Sequence, residues 1–279
     1  MEQLKLGAHL KDNYRGIHMQ ANYHMHTEYS DDSNFKMEDV VKTAISCGLD
    51  EICITDHLDY ECNKNFCFPY HKYEKDFLYC KNKYSDKINL KLGIEFGMQK
   101  GTIERFNKIY SSANFDFVLM SCHLINDQWF WSQEFQSGKT QEEYNKEYYE
   151  EILYLVNNFN NYSVLGHLDV IRRYDLKGDY PFENVKPIIE TILKRVISEG
   201  KGIELNTSSY RYRLSDSMPS KNILKLYKEL GGEIITIGTD SHCASHINCH
   251  LREAHDELKS LGYKTYCTFE KMKPIFHKL

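Results

Sequence analysis

Short apolar runs alternate with longer amphipathic segments along most of the chain. Each run is five or six residues long and is bounded by polar residues or glycine. Apolar runs of this length are typical of strands that are buried on both faces of a sheet. Seven of them predict buried strands, over residues 21–26, 51–55, 91–96, 117–122, 163–167, 202–206 and 234–238.

The segments between these strands repeat apolar residues at the three- to four-residue spacing of a helix. In the first segment Val40, Val41 and Ala44 share one face, and Gly48 follows as a C-terminal cap. The spacing predicts helices over residues 37–47, 142–159, 185–199 and 221–230. Strands that alternate with helices predict an α/β fold with a mostly parallel sheet, and the length of 279 residues suits a closed barrel.

The chain is predicted to form one domain. No linker rich in Pro, Gly or Ser, no low-complexity tract and no internal repeat divides residues 19–279. Residues 1–18 mix charged residues and turn formers without a clear period, and we expect them to be an expression leader or a loose extension.

Composition and charge narrow the class of protein. Charged residues make up 27% of the chain and the net charge is -5, which disfavours electrostatic binding of nucleic acid over a large surface. No apolar window is long enough to span a membrane. The nine cysteines are an odd number and include no CxxC pair, so we expect reduced thiols in a cytoplasmic protein. These features do not determine the oligomeric state, and a homo-oligomer is compatible with them.

Residues that can bind metals follow the predicted strands. His24 and His26 lie on one side of the first strand, because side chains of a strand alternate with a period of two. In parallel barrels the carboxyl ends of the strands form one rim, where sites are built from several strands. The predicted ligands at this rim are His24, His26, Asp32, His57, Glu95, His123, His167, Asp240 and His242.

This ligand set predicts more than one metal ion. Six imidazoles and three carboxylates are too many for one four-coordinate Zn²⁺ but suit two or three divalent ions. Histidine with carboxylate and without thiolate favours Zn²⁺, Mn²⁺ or Fe²⁺.

The motifs that carry these residues resemble those of the PHP (polymerase and histidinol phosphatase) superfamily. The resemblance implies a distorted (β/α)7 barrel, similar to a TIM barrel, that holds a trinuclear metal centre. The motifs are H-x-H at 24–26, T-D-H at 55–57, G-I-E at 93–95, S-C-H at 121–123, G-H at 166–167 and G-T-D-S-H at 238–242.

The resemblance also implies how the ligands divide among three metals. His24, His26, Glu95 and Asp240 would hold the first, Glu95, His123 and His167 the second, and Asp32, His57 and His242 the third. Glu95 would bridge two metals, and we expect Glu95, His123 and Asp240 to be essential for catalysis. Position 32 is Asp where some members of the superfamily have His.

Within the superfamily the chain most resembles the histidinol-phosphate phosphatases of histidine biosynthesis. This implies hydrolysis of a small-molecule phosphomonoester, L-histidinol phosphate, to L-histidinol and phosphate by a metal-bridged hydroxide. Arg211, Arg172 and Arg173 are predicted to bind the phosphate. The stretch before Arg211 departs from the family pattern, with Ser209 and Tyr210 in place of a glycine and an apolar residue.

Two other functions remain open from the residues alone. One is a phosphoesterase of the same superfamily that acts on a nucleotide, a sugar phosphate or a nucleic-acid end. The other is a metal-binding module without activity. Asp56, Asp59 and Asp169 are predicted to orient the ligand histidines, and Trp129 and Trp131 are predicted either to wall the pocket or to pack in a loop.

Overall fold

The structure is a computed structural model, and it describes residues 19–62 and 68–279. The expected leader, residues 1–18, lies outside the described residues. Among the described residues no helix has the length and apolar character needed to cross a membrane.

Twelve strands and eight α-helices are formed by the described residues. The strands are β1 (Ala21–Asn22), β2 (Glu51–Ile54), β3 (His57–Asp59), β4 (Asn89–Gly97), β5 (Phe117–Ser121), β6 (Leu124–Ile125), β7 (Gln128–Trp129), β8 (Val164–Leu165), β9 (Gly202–Asn206), β10 (Ile235–Gly238), β11 (Thr265–Glu270) and β12 (Lys273–Lys278). The helices are α1 (Met37–Cys47), α2 (Tyr70–Lys83), α3 (Ile103–Ser111), α4 (Gln141–Asn158), α5 (Phe182–Ser198), α6 (Ser208–Arg211), α7 (Lys221–Glu229) and α8 (Leu251–Ser260).

Seven parallel strands form a nearly closed barrel in the order β1-β2-β4-β5-β8-β9-β10, and the short strand β3 pairs with the end of β4. The first and last strands meet through backbone hydrogen bonds. The amide of Tyr23 donates to Ile237 at 3.0 Å, and the amide of Asp240 donates to His24 at 2.9 Å. The predicted distorted seven-stranded barrel is therefore confirmed, and the carboxyl ends of all its strands open on one side.

β1 is shorter than the predicted strand 21–26 because the side chain of Asn22 interrupts the ladder. The Asn22 Oδ1 accepts the backbone N–H groups of His24 and Thr239, both at 3.1 Å. Its Nδ2 donates to the Thr239 hydroxyl at 2.7 Å. An amide side chain thus replaces backbone partners where β1 and β10 meet.

Helix α2 is absent from the sequence prediction because tyrosine forms much of its buried face. Tyr70, Tyr73, Phe77 and Cys80 are its buried residues, at helical spacing. The Tyr73 hydroxyl donates to the backbone oxygens of Ile54, at the end of β2, and of Gly93, in the middle of β4, at 3.0 and 2.7 Å. A buried tyrosine with a hydrogen-bonded hydroxyl contributes to the core as an apolar residue does.

The C-terminal hairpin β11–β12 covers the amino-terminal end of the barrel. The amide of Phe269 donates to the Tyr23 hydroxyl at 2.8 Å, and the rings of Phe269 and Phe117 lie 5.0 Å apart. The Tyr23 hydroxyl also donates to the buried carboxylate of Glu51. These contacts close the amino-terminal end of the barrel with side chains.

Candidate metal centre

The nine predicted ligands converge at the carboxyl end of the barrel, on a cavity of about 520 Å³. His24 is fully buried beneath the others. The eight that line the cavity are His26, Asp32, His57, Glu95, His123, His167, Asp240 and His242.

The first group of ligand atoms surrounds one point below the cavity floor. The His24 Nε2 lies 3.1 Å from Glu95 Oε2 and 3.7 Å from Asp240 Oδ1. The His26 Nε2 lies 3.6 Å from the same Glu95 oxygen and 3.3 Å from the same Asp240 oxygen. Two ligands of a tetrahedral ion at about 2.1 Å are separated by about 3.4 Å, so these spacings fit a metal ion.

The second group uses the other oxygen of Glu95. Glu95 Oε1 lies 3.0 Å from His167 Nε2 and 3.3 Å from His123 Nε2, and the two nitrogens are 3.3 Å apart. The Ser121 hydroxyl donates to the same Oε1 at 2.6 Å. Glu95 therefore presents one carboxylate oxygen to each of two ligand groups, as a bridging ligand requires.

The third group lies closer to solvent. Asp32 Oδ1 lies 2.9 Å from His57 Nε2, and Asp32 Oδ2 lies 3.1 Å from His242 Nε2. Asp31 Oδ1 is 3.5 Å from the same His57 nitrogen. The rings of His242 and His26 are stacked at 4.0 Å, so the third group adjoins the first.

The electrostatics of the site suit divalent cations. The His26 Nε2 is buried, and its near neighbours include the carboxylate oxygens of Asp240 and Glu95, at 3.3 and 3.6 Å. Burial, helped by the nearby His242, lowers the pKa of His26 to about 3, so this ring is neutral and its nitrogen has a lone pair for a metal. Burial also acts to lower the pKa of His123, but Asp59 and Glu95 outweigh it and raise that pKa to about 10. The carboxylates thus stabilise positive charge at this site, and bound metal ions would supply that charge.

Asp59 orients two of the ligand rings. Its Oδ1 accepts the Nδ1–H of His123 at 2.8 Å, and its Oδ2 lies 2.8 Å from the Nδ1 of His57. Both rings therefore turn Nε2 toward the cavity. Asp56 acts more indirectly, because it accepts the hydroxyl of Ser30, which in turn contacts His26 Nδ1 at 3.0 Å.

Residues 22–208 match the PHP domain family, which is well over half of the chain. The chain belongs to the PHP domain family. The match ends before β10, so the predicted ligands Asp240 and His242 lie beyond the matched residues and join the site through the closure of the barrel.

Two PHP relatives cover nearly all of the chain. A histidinol-phosphatase of Lactococcus lactis is 34% identical over 90% of this chain and 94% of that protein. A probable histidinol-phosphatase of Clostridium acetobutylicum is 30% identical over 83% of this chain and 89% of that protein.

Solved structures show the same fold. The crystal structure of a histidinol phosphate phosphatase from Lactococcus lactis, complexed with zinc, L-histidinol and phosphate, matches with a TM-score of 0.83 and 34% identity. That match covers 92% of this chain and 98% of the other. A structure from Listeria monocytogenes matches with a TM-score of 0.71 at 20% identity, over 84% of this chain and 99% of the other.

Glu204 is a residue of this PHP site that the sequence reasoning missed. It lies in β9, fully buried, where its Oε1 is 2.7 Å from the Nδ1 of His24. Its Oε2 accepts the backbone N–H of His167 at 2.8 Å. An acid inside the apolar strand 202–206 is the same signal that identified Glu95, and it could have found Glu204.

The three predicted phosphate-binding arginines have different surroundings. Arg173 lines the cavity, donates to Asp240 Oδ2 at 2.8 Å and has a buried Nε with no hydrogen-bond partner among the described residues. Arg211 is not a lining residue, and it donates to the backbone oxygens of Thr239 and Asp240 at 2.7 Å. Arg172 is also outside the lining and pairs with Asp169 at 3.0 Å. Phosphate binding by Arg211 and Arg172 stays a prediction.

Proposed function

We propose that this PHP chain hydrolyses L-histidinol phosphate to L-histidinol and phosphate, a step of histidine biosynthesis. The observation that carries the proposal is the 34% identity, over 98% of its chain, to the Lactococcus lactis enzyme whose crystal structure holds zinc, L-histidinol and phosphate. The convergence of nine metal-binding side chains on one cavity in this chain supports it.

The proposed cofactor is a centre of two or three divalent ions, of Zn²⁺, Mn²⁺ or Fe²⁺. Its ligands are proposed to be the three groups described above, with Glu95 shared between the first and the second. Ions bound there would acidify water and neutralise the charge of a phosphomonoester.

The side chains around the centre have proposed roles in binding and orientation. Three ligands are proposed to hold the metal ions at the cavity floor: the carboxylates of Glu95 and Asp240 and the imidazole of His123. Arg173 is proposed to donate to a phosphate oxygen, because its guanidinium is buried, lines the cavity and keeps an unpartnered Nε. Its existing bond to Asp240 holds the guanidinium beside the first ligand group.

The test measures phosphate release from L-histidinol phosphate by protein supplied with Zn²⁺ or Mn²⁺. A nucleoside monophosphate and p-nitrophenyl phosphate serve as comparison substrates, and a chelated sample serves as the control. We expect chelator-sensitive activity with kcat/KM about a hundredfold higher for L-histidinol phosphate, since a site built to bind polar groups rejects substrates that lack them. Glu95→Ala and His123→Ala should abolish this activity.

Other results would redirect the proposal. Equal and weak hydrolysis of all three compounds would indicate a phosphoesterase for another substrate. Absence of hydrolysis from protein that has bound its metals would indicate a metal-binding module without activity.

A further inference from the structure

The cavity continues from the metal ligands to an aromatic wall. Trp129 and Trp131 line the same cavity as His123 and Arg173. Trp131 is 65% exposed, which is unusual for a side chain with so large an apolar surface. Exposed aromatic surface at the mouth of a polar cavity is typical of a ligand-binding wall.

The wall is held rigidly next to a predicted metal ligand. Strand β6 begins directly after His123 and pairs with β7, with Leu124 opposite Trp129. The two turn residues between the strands have positive φ angles of 52° and 60°, as a tight hairpin turn requires. The amide of Phe130 then donates back to the His123 carbonyl at 3.3 Å.

Packing behind the wall fixes it from the other side. The ring of Phe130 is fully buried and lies 5.0 Å from Phe135 and 5.5 Å from Tyr148. The side chain of Gln133 donates to the carbonyl of Tyr174, another lining residue, at 2.7 Å. The aromatic wall therefore needs little ordering when a ligand binds.

A carboxylate outside the predicted ligand groups borders this wall. Glu61 lines the cavity, and its Oε1 accepts the indole N–H of Trp129 at 3.3 Å. The backbone carbonyl of Glu61 accepts Arg105 Nη1 at 3.1 Å, which fixes the position of the residue. An indole face next to a carboxylate is a favourable environment for an organic cation.

We infer that Trp129, Trp131 and Glu61 form a subsite for the cationic, nitrogen-bearing end of the substrate alcohol. This inference rests on the proposed function, because L-histidinol carries an ammonium group and an imidazole beyond its phosphorylated oxygen. The phosphate binds at the metal centre and Arg173, and the subsite selects the alcohol. The subsite sets specificity and takes no part in breaking the P–O bond.

Intrinsic fluorescence gives a direct measure of this subsite. The chain has two tryptophans, and both line the cavity. Adding L-histidinol to the metal-loaded protein should change tryptophan emission saturably. Glu61→Gln should raise the dissociation constant of L-histidinol about tenfold or more, since it removes the charge but keeps the shape. Glu183→Gln, on the exposed face of α5, is the matched control and should bind L-histidinol as the wild type does.

Kinetics test whether the subsite acts on selectivity. The ratio of kcat/KM for L-histidinol phosphate to that for glycerol phosphate, which has no cation, should fall about tenfold or more in Glu61→Gln and in Trp131→Ala. Trp131→Phe keeps an aromatic face and should restore most of the ratio. Two results would contradict the subsite. One is a wild type that hydrolyses L-histidinol phosphate but shows no change in tryptophan emission on adding L-histidinol. The other is an equal loss of kcat/KM for both substrates in the variants.

Failure of the proposed function gives a different result. If the wild type does not hydrolyse L-histidinol phosphate, its preference between phosphoethanolamine and glycerol phosphate tests the subsite by itself. A preference for the amine that Glu61→Gln removes supports the cation subsite, and no preference overturns it.

Discussion

The imidazole rings of the centre are oriented through the nitrogen that faces away from the cavity. Five of the six predicted ligand rings have an Nδ1 contact of 3.1 Å or less, and the Nδ1 of His167 has none among the described residues. A ring held at Nδ1 presents Nε2 to a metal in one tautomer and one direction. The Nδ1 partners are Glu204 for His24, Ser30 for His26, Asp59 for both His57 and His123, and the Asp240 carbonyl for His242.

Glu204→Gln should weaken metal binding while leaving the barrel folded. Glu204 holds the ring of His24 and the backbone of His167, which belong to different ligand groups. Loss of a charged partner behind a ligand histidine costs about 10- to 100-fold in metal affinity. Chelator competition would measure this affinity, with circular dichroism to verify folding. Metal retention equal to that of the wild type would show that Glu204 has no positioning role.

Arg173→Gln should reduce phosphate binding. The side chain of Arg173 is only 8% exposed, and its guanidinium forms an ion pair with Asp240. A charge-assisted hydrogen bond contributes about 1.5–3 kcal/mol, so kcat/KM for phosphomonoesters should fall about 10- to 100-fold. Steady-state kinetics would measure the loss, alongside metal content. Arg195→Gln is the control, because Arg195 lies on helix α5, pairs with Glu199 just after the helix, and does not line the cavity. Kinetics equal for Arg173→Gln and the control would exclude the phosphate contact.

The ends of the barrel strands carry glycines because buried carboxylates approach the backbone there. A Cβ atom at Gly97 would lie 1.8 Å from Asp59 Oδ1. A Cβ atom at Gly238 would lie 2.2 Å from Glu204 Oε1 and 2.3 Å from the Cβ of His24. The glycines of the strand-end motifs thus make room for the groups that orient the histidines.

Gly238→Ala should disturb both stability and metal binding. Neither close neighbour can move freely, because Glu204 and His24 are fully buried and bonded to each other. Forcing a methyl group into such packing costs about 1–3 kcal/mol. Denaturant unfolding would measure the loss of stability, and chelator competition the loss of metal affinity.

Gly48→Ala is the comparison for this variant. Gly48 caps α1 with a φ of 78° and has open space around its Cα, so alanine there introduces backbone strain alone. We expect a loss of about 1–2 kcal/mol in stability and unchanged metal affinity. Normal metal affinity in Gly238→Ala as well would contradict the role of that glycine.

Helices and strands were predictable from the sequence where the spacing of their apolar residues reflects burial inside the barrel. Strand β9 and helix α1 have the predicted bounds, because β9 is buried along its whole length and α1 has one aliphatic face. Helix α8 was expected after His242 but without bounds, because its buried face includes His255 and Glu257. The pattern marks the acid of Glu204 and predicts an orienting role for Asp59, but it does not tell which histidine ring each carboxylate holds, because those pairs join distant strands.

At the scale of the whole molecule, the predicted metal ligands come together only when the barrel is closed. The predicted ligands extend from residue 24 to residue 242, and Asp240 meets His24 through the junction of the first and last strands. The order of the strand-end motifs predicted this convergence. The covering of the opposite end by β11–β12 was not predictable, since β12 is mostly exposed and its sequence reads as polar.

Metal binding should therefore stabilise the entire fold. Ions that bind the folded chain and not the unfolded one contribute about 4 kcal/mol each at a free concentration about a thousand times their dissociation constant. In a domain of this size the Tm should rise by roughly 2 °C for each kcal/mol. Thermal unfolding of chelated protein, and of the same protein with added Zn²⁺ or Mn²⁺, would measure the shift.

Two variants relate this stabilisation to individual ligand groups. Glu95→Ala removes a ligand from the first and second groups, whereas Asp32→Ala affects the third alone. We expect the metal-dependent rise in Tm to fall further in Glu95→Ala than in Asp32→Ala, with the Tm of each chelated variant as its own reference. An equal rise in Tm in both variants would mean that Glu95 does not bridge two metal ions. The absence of any metal-dependent rise in the wild type would contradict the proposed metal centre.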